Sequence, residues 1–163
     1  LLPLASSTPP LVVDDCELKR PGPSYTVDTL RHLRQQWGAE TPLALIVGWD
    51  AFMGLSNWHQ WLDLLTLAHV VVCQRPGWTA LPAIMQTCLQ QHQTPNPQAL
   101  TETAAGRIWI QEIPLLAISA SQIRQRLHQG RCVRYLLPDA VLQQIRQTHC
   151  YPTTTPQPDT LLF

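Results

Sequence analysis

Charge is scarce in this sequence. Asp, Glu, Lys and Arg make up 13% of its 163 residues, and they cancel to a net charge of zero. That balance argues against the broad cationic footprint that a nucleic-acid backbone demands. It leaves room for a small phosphate-bearing ligand, which needs only one or two arginines. No uninterrupted apolar run approaches the ~18 residues of a membrane-spanning helix, and no secretory signal pattern opens the chain. The five cysteines are odd in number and scattered, with no C-x-x-C. This spacing suits reduced thiols in a cytoplasmic protein rather than a disulfide framework. Cys88 and His92 stand four apart on a helical pattern, but no second pair at ligand spacing supports a metal site. The chain opens on Leu1 rather than Met, so we expect a piece of a longer protein.

Hydrophobic residues make up 45% of the chain, enough for one domain with a real core. Leu1 to Pro10 reads as a helix remnant and a loop, and Leu11-Val12-Val13 as a short strand. Asp14 to Pro23 is polar and turn-rich. Ser24-Tyr25-Thr26 opens a helix that Thr26 can cap and Gly38 closes, with Val27, Leu30 and Trp37 at helical spacing alongside Leu33 or Arg34. Leu43 to Gly48 is a continuous apolar run, the pattern of a strand buried on both faces. Asn57 to Leu67 reads as a second helix, with Trp58, Trp61, Leu62 and Leu65 on or near its apolar face. His69 to Gln74 is another buried strand, ended by Arg75-Pro76-Gly77. Thr79 to Gly106 looks like an excursion from the core with one helix around Ala83 to Gln91, and Arg107 to Ile113 is the next strand. A last helix follows Pro138, with Val141, Leu142 and Ile145 on one face, and Tyr151 onward is expected to be disordered. Strands alternating with helices predict an α/β fold with a mostly parallel sheet.

The most informative stretch is Ile113 to Gly130. An apolar segment stops at Ser119 and a helical pattern begins, with Ile123 and Leu127 one turn apart. Ser119 and Gln122 have the spacing of a capping box, and Gly130 is placed to end the helix in a left-handed conformation. Arg124 is out of place, because a cation in the early turns opposes the positive end of the helix dipole. Two readings stand. Either an anion such as phosphate rests there, held by backbone N–H groups, the Ser119 and Ser121 hydroxyls and Arg124, or the helix is a capped surface element with a solvated arginine. Gly48-Trp49-Asp50, Arg75-Pro76-Gly77 and Ser119-Ala120-Ser121 each follow a strand. If the sheet is parallel, all three face the crevice at the strands' carboxyl ends.

Ile118-Ser119-Ala120-Ser121-Gln122-Ile123-Arg124 resembles the I-S-x-T-x-I-R motif of the nucleotidyltransferases that also carry H-x-G-H. Several other segments narrow the resemblance to bacterial nicotinate-nucleotide adenylyltransferases. They are Glu17-Leu18-Lys19-Arg20, Pro23 to Leu30, Leu45 to Asp50, Trp58-His59, Ala68 to Gly77 and Leu136-Leu137-Pro138. The likeness runs from about Leu11 to Tyr151. It implies a Rossmann-like nucleotidyltransferase domain over residues 1–151, with a tail over 152–163. The implied reaction transfers the adenylyl group of ATP to nicotinate mononucleotide, with Mg²⁺ accompanying the ATP, giving deamido-NAD and pyrophosphate.

By the same resemblance Ser119, Ser121 and Arg124 hold ATP phosphates, and Gly48 and Asp50 lie against the adenosine. Tyr25, Thr26, Trp58, His59 and Arg75 serve nicotinate mononucleotide, with Trp58 stacked on the pyridine ring. Each also has a plain structural reading: strand end and cap for Gly48 and Asp50, core packing for Trp58, and cap and packing for Tyr25 and Thr26. For His59 and Arg75 it is solvated surface. The implied partners are ATP and nicotinate mononucleotide, with no nucleic acid and no membrane. The implied location is the cytoplasm, and a homo-oligomer is left open. One departure stands out: no H-x-G-H occurs in the 163 residues. We therefore expect the first βαβ unit, ~30 residues or more, to be missing, apolar surface to be exposed, and the chain by itself to be a poor catalyst. Ser121 replaces the usual threonine but keeps the hydroxyl.

Overall fold

In the computed structural model, residues 12–74, 80–114 and 118–151 are described. They fall into two compact units, residues 15–114 and residues 118–151 with 12–14.

The larger unit is built on three parallel strands in the order β1 (Ala44–Gly48), β2 (His69–Gln74), β3 (Ile108–Glu112). The register sets Gly48 beside Cys73 and Cys73 beside Gln111, so the carboxyl ends are level. Around the strands run α1 (Cys16–Lys19), α2 (Thr26–Trp37), α3 (Trp49–Met53), a 3-10 turn at Leu55–Asn57, α4 (Trp61–Leu67), α5 (Ala83–His92) and α6 (Ala99–Glu102). Val27 and Leu30 of α2, Phe52, Leu55, Leu64, Val70, Val72 and Ile108 are buried together. Removing such side chains from water contributes roughly 1.5–3 kcal/mol each. The expected α/β fold with a parallel sheet is observed, and α2 ends where foreseen, with Gly38 at φ 91°.

Four local expectations are corrected. Val12 and Val13 form no strand, and Val12 lies open to solvent. β1 is not covered on both faces: Val47 is buried, but Ile46, which points to the opposite face, is 68% exposed, because no described element covers that face at β1. The helix expected from Asn57 begins only at Trp61, because Gln60 takes a left-handed conformation at φ 50° that a helix cannot continue through. Trp58 and His59 consequently sit in a turn, and Leu62 is 67% exposed. Finally, residues 80–106 are no excursion. α5 is the crossover from β2 to β3, and its Met85 and Cys88 complete the core.

Two polar side chains tie this unit together. Arg34 donates from Nε to the Leu67 carbonyl at 2.7 Å and from Nη2 to the Ala104 carbonyl at 2.6 Å. Its Nη1 donates to the carbonyls of Gly38, Ala39 and Thr41. One guanidinium thereby closes the ends of α2 and α4 and the approach to β3. His69, fully buried, donates from Nε2 to the Thr103 carbonyl at 2.7 Å and accepts the Arg107 N–H at Nδ1, 3.1 Å away. Those two partners specify the neutral tautomer with its proton on Nε2.

The smaller unit packs α7 (Ala120–His128) and α8 (Asp139–Thr148) through Ile123, Val133 and Leu142, with Leu127, Leu136 and Leu137 at the margin. Pro138 takes the N-cap position of α8 rather than its first turn. The helix remnant and strand residue expected within residues 1–11, the turn Arg75-Pro76-Gly77 and the tail 152–163 lie outside the described residues.

Candidate nucleotide site

In the larger unit, β1 runs straight into α3. Gly48 is the N-cap of that helix, and open space surrounds the position where a Cβ would stand. A ligand can therefore approach the backbone at the end of β1, the use foreseen for this glycine. Asp50 follows in the first turn of α3 and is exposed.

Tyr25 is the N-cap of α2 and Thr26 its first residue, so Thr26 does not cap the helix as expected. α2 packs on α4, and Arg31 joins Asp63 across the two helices at 2.7 Å. This packing brings Tyr25 against His59: their rings stack with centroids 4.2 Å apart and planes inclined by 29°. Residues 34 positions apart, both singled out for the same ligand, form one aromatic surface that stays partly open, with Tyr25 39% exposed. Trp58 is half-buried and packs against the core. Core residue and binding surface are compatible roles for it. Arg75 lies outside the described residues.

Trp49 is a residue that sequence reasoning passed over. It is 7% exposed, and its indole N–H is buried with no hydrogen-bond partner among the described residues. With Gln74, Leu81, Gln86, Leu89 and Gln90 it lines a cavity of about 370 Å³. An aromatic directly after an apolar strand reads as core, so its stranded donor is visible only in three dimensions. Among the described residues no group of three or more His, Cys, Asp or Glu side chains could hold a metal ion. His92 instead donates from Nδ1 to the Gly106 carbonyl at 2.9 Å. Burial pushes the Cys88 thiol above the usual thiol range.

In the smaller unit the expected capping box is present. The Gln122 N–H donates to Ser119 Oγ and the Ser119 N–H donates to Gln122 Oε1, both at 3.2 Å. The box occupies those two N–H groups, and the Ala120 and Ser121 N–H groups in the first turn have no intrahelical acceptor. Arg124 leans back toward the helix start and donates from Nη2 to Ser121 Oγ at 3.3 Å. Ser119, Ser121 and Arg124 are all exposed. Gly130 takes the left-handed conformation foreseen, at φ 64°. The Arg131 and Gly130 N–H groups close the Schellman pattern onto the Arg126 and Leu127 carbonyls.

Parallel strands with the backbone open at a strand end, and a separately capped helix carrying two hydroxyls and an arginine, are the elements of a nucleotide-handling α/β protein. Residues 2–126 match the family described as cytidylyltransferase-like, and the chain belongs to it. Within it, the chain belongs with the nicotinate-nucleotide adenylyltransferases. It is 44% identical over 149 residues to the Methylococcus capsulatus protein named "Probable nicotinate-nucleotide adenylyltransferase", covering 91% of this chain and 70% of that one. A Pseudomonas fluorescens protein of the same name is 46% identical over 137 residues, covering 83% and 64%.

Among solved structures, the Plasmodium falciparum nicotinic acid mononucleotide adenylyltransferase complexed with APC superposes with a TM-score of 0.54 at 14% identity, over 80% of this chain and 60% of that one. The same protein complexed with NaAD gives 0.53 at 14% identity, over 79% and 58%. At that identity the likeness speaks for the fold. The chain thus spans about two thirds of its curated relatives' length and about three fifths of the solved structures'.

Proposed function

We propose that the protein serves adenylyl transfer from ATP to nicotinate mononucleotide, giving deamido-NAD and pyrophosphate. An oxygen of the mononucleotide phosphate attacks the α-phosphorus of ATP, a new P–O bond forms, and the bond to the departing pyrophosphate breaks. Such chemistry needs no covalent enzyme intermediate. It needs two anions held in line and their charge neutralised. The observation that carries this reading is the Tyr25–His59 stack, which joins two distant segments, both read as serving the same ligand, in one aromatic contact.

In this reading Tyr25, Trp58 and His59 hold the pyridine ring, and the start of α2 at Thr26 offers N–H groups to the nicotinate carboxylate. Arg75 approaches the mononucleotide phosphate. Gly48 and Asp50 meet the adenosine, Asp50 accepting from ribose hydroxyls. Ser119, Ser121 and Arg124 hold the ATP phosphates, a role that the backward lean of Arg124 onto Ser121 supports. Residues 1–151 form one nucleotidyltransferase domain, and the family match across both units supports that grouping.

In the same proposal Mg²⁺ accompanies the ATP. A Mg²⁺ ion there would be held by the phosphates and water and would neutralise their charge. Cytoplasmic placement belongs to the same proposal, alongside the finding that no helix among the described residues is long and apolar enough to cross a membrane.

Calorimetry of the chain with ATP and with nicotinate mononucleotide tests the reading. Saturable binding of both, lost for ATP in Arg124→Ala and for the mononucleotide in Trp58→Ala, is expected. Preference for the amide analogue or for phosphopantetheine would reassign the substrate within the family. The absence of H-x-G-H from the 163 residues favours a second reading, nucleotide binding without turnover. A radiolabelled adenylyl-transfer assay on the same chain separates the two.

A further inference from the structure

The zero net charge of the chain hides a separation. Residues 118–151 carry five arginines, Arg124, Arg126, Arg131, Arg134 and Arg146, against the single carboxylate of Asp139. Two of them, Arg126 and Arg131, line a depression of about 350 Å³ with Gln122, Gln125, Gln129 and Leu136. No carboxylate lines it, and neither guanidinium makes an ion pair or side-chain hydrogen bond among the described residues. The Schellman turn at Gly130 holds Arg131 beside the end of α7, because the Arg131 N–H is bonded to the Arg126 carbonyl at 2.8 Å. The two arginines therefore share one stretch of fixed backbone.

This face is not the one assigned to ATP. Arg126 follows Arg124 by two residues, which on a helix of 3.6 residues per turn sets the two side chains roughly 200° apart. Gln122, Arg126 and Gln129 form one stripe and Ser121 with Arg124 another.

We infer that the Arg126–Arg131 depression is a second anion site, taking a small phosphate-bearing molecule. Two guanidiniums without a side-chain partner among the described residues match a dianion, since each offers parallel N–H donors to two oxygens of one phosphate. The three glutamine amides supply neutral donors and acceptors for the remainder of the ligand, and Leu136 gives an apolar edge. The site lies within one unit and is independent of adenylyl transfer.

The test is titration of the ¹⁵N-labelled full chain with inorganic pyrophosphate, read at the arginine Nε–H and glutamine amide signals. Saturable shifts at Arg126, Arg131 and Gln129 are expected, and they should persist in Arg124→Gln. In Arg126→Gln/Arg131→Gln, with an otherwise unchanged spectrum, affinity at this face should fall about tenfold or more, the scale of one lost charge-assisted contact. Shifts confined to residues 119–124, or non-saturable shifts that the double variant leaves in place, would overturn the inference without touching the adenylyl-transfer reading. Should the double variant misfold, Arg126→Lys is the second measurement. It keeps the charge and removes the fork, and undiminished affinity there would likewise count against bidentate recognition.

Discussion

Replacing Arg124 by alanine separates the two meanings of the α7 helix start, because they move stability and binding in different directions. Arg124 is exposed, and among the described residues its one side-chain bond is the 3.3 Å contact with Ser121 Oγ. That contact holds a positive guanidinium over the first turn, where the helix dipole disfavours it. Alanine removes the unfavourable charge and is the better helix former. The capping box of Ser119 and Gln122 does not involve Arg124 and survives. Stability should therefore stay within about 0.5 kcal/mol of the parent or rise slightly.

Binding should behave otherwise. The remaining guanidinium donors can grip one phosphate in a bidentate manner, and a hydrogen bond to a charged group contributes about 1.5–3 kcal/mol. Exposure to solvent places the effect toward the lower end, so ATP should bind about 10–100-fold more weakly. The assay is calorimetry with ATP beside a thermal melt of both proteins. An unchanged ATP affinity would refute the phosphate assignment. A large loss of melting temperature would show that the arginine serves structure, against the reasoning from the dipole.

Arg34→Met should destabilise the larger unit by about 2–4 kcal/mol in chemical denaturation, because several carbonyls of two helix ends and a loop lose their donor together; a near-neutral result would contradict the network's role. His59→Ala should weaken nicotinate mononucleotide about 3–10-fold with little effect on ATP, reflecting about 0.5–1.5 kcal/mol for one aromatic stack; equal loss for both ligands would point to a folding defect. Cys88, whose thiol is buried and pushed upward, should react with a thiolate-selective alkylating reagent much more slowly than exposed Cys132 and Cys150, as mass spectrometry of the native protein would read. The unfolded chain releases the Cys88 proton at lower pH than the folded one. The contribution of this group to stability is therefore complete below the ordinary thiol range and declines as pH rises through it, an effect that Cys88→Ala should remove from an alkaline denaturation series.

Features set by near neighbours along the chain were legible in its sequence. β2 has the bounds expected of it, His69 and Gln74, around the β-branched run Val70-Val71-Val72. The Ser119–Gln122 box and the left-handed Gly130 were readable because capping is an interaction over three or four residues. The parallel sheet followed from alternation of strands and helices, and the family from motifs spread along the chain.

Features set by distant partners were not legible. Periodicity could not foresee that Gln60 breaks a helix, that Ile46 and Leu62 face solvent, or that Met85 and Cys88 fill the core from a stretch poor in pattern. Arg34 occupied a helical position like any other until the Leu67 and Ala104 carbonyls were brought to its guanidinium. The separate motifs of Tyr25 and His59 became one surface only when α2 packed on α4. The α7 capping box, its glycine stop and the bounds of β2 are written in bonds and patterns between near neighbours, so the amino-acid order settled them alone. Burial, long-range hydrogen bonding and ring stacking depend on which residues the core draws together, and folding in three dimensions decided those.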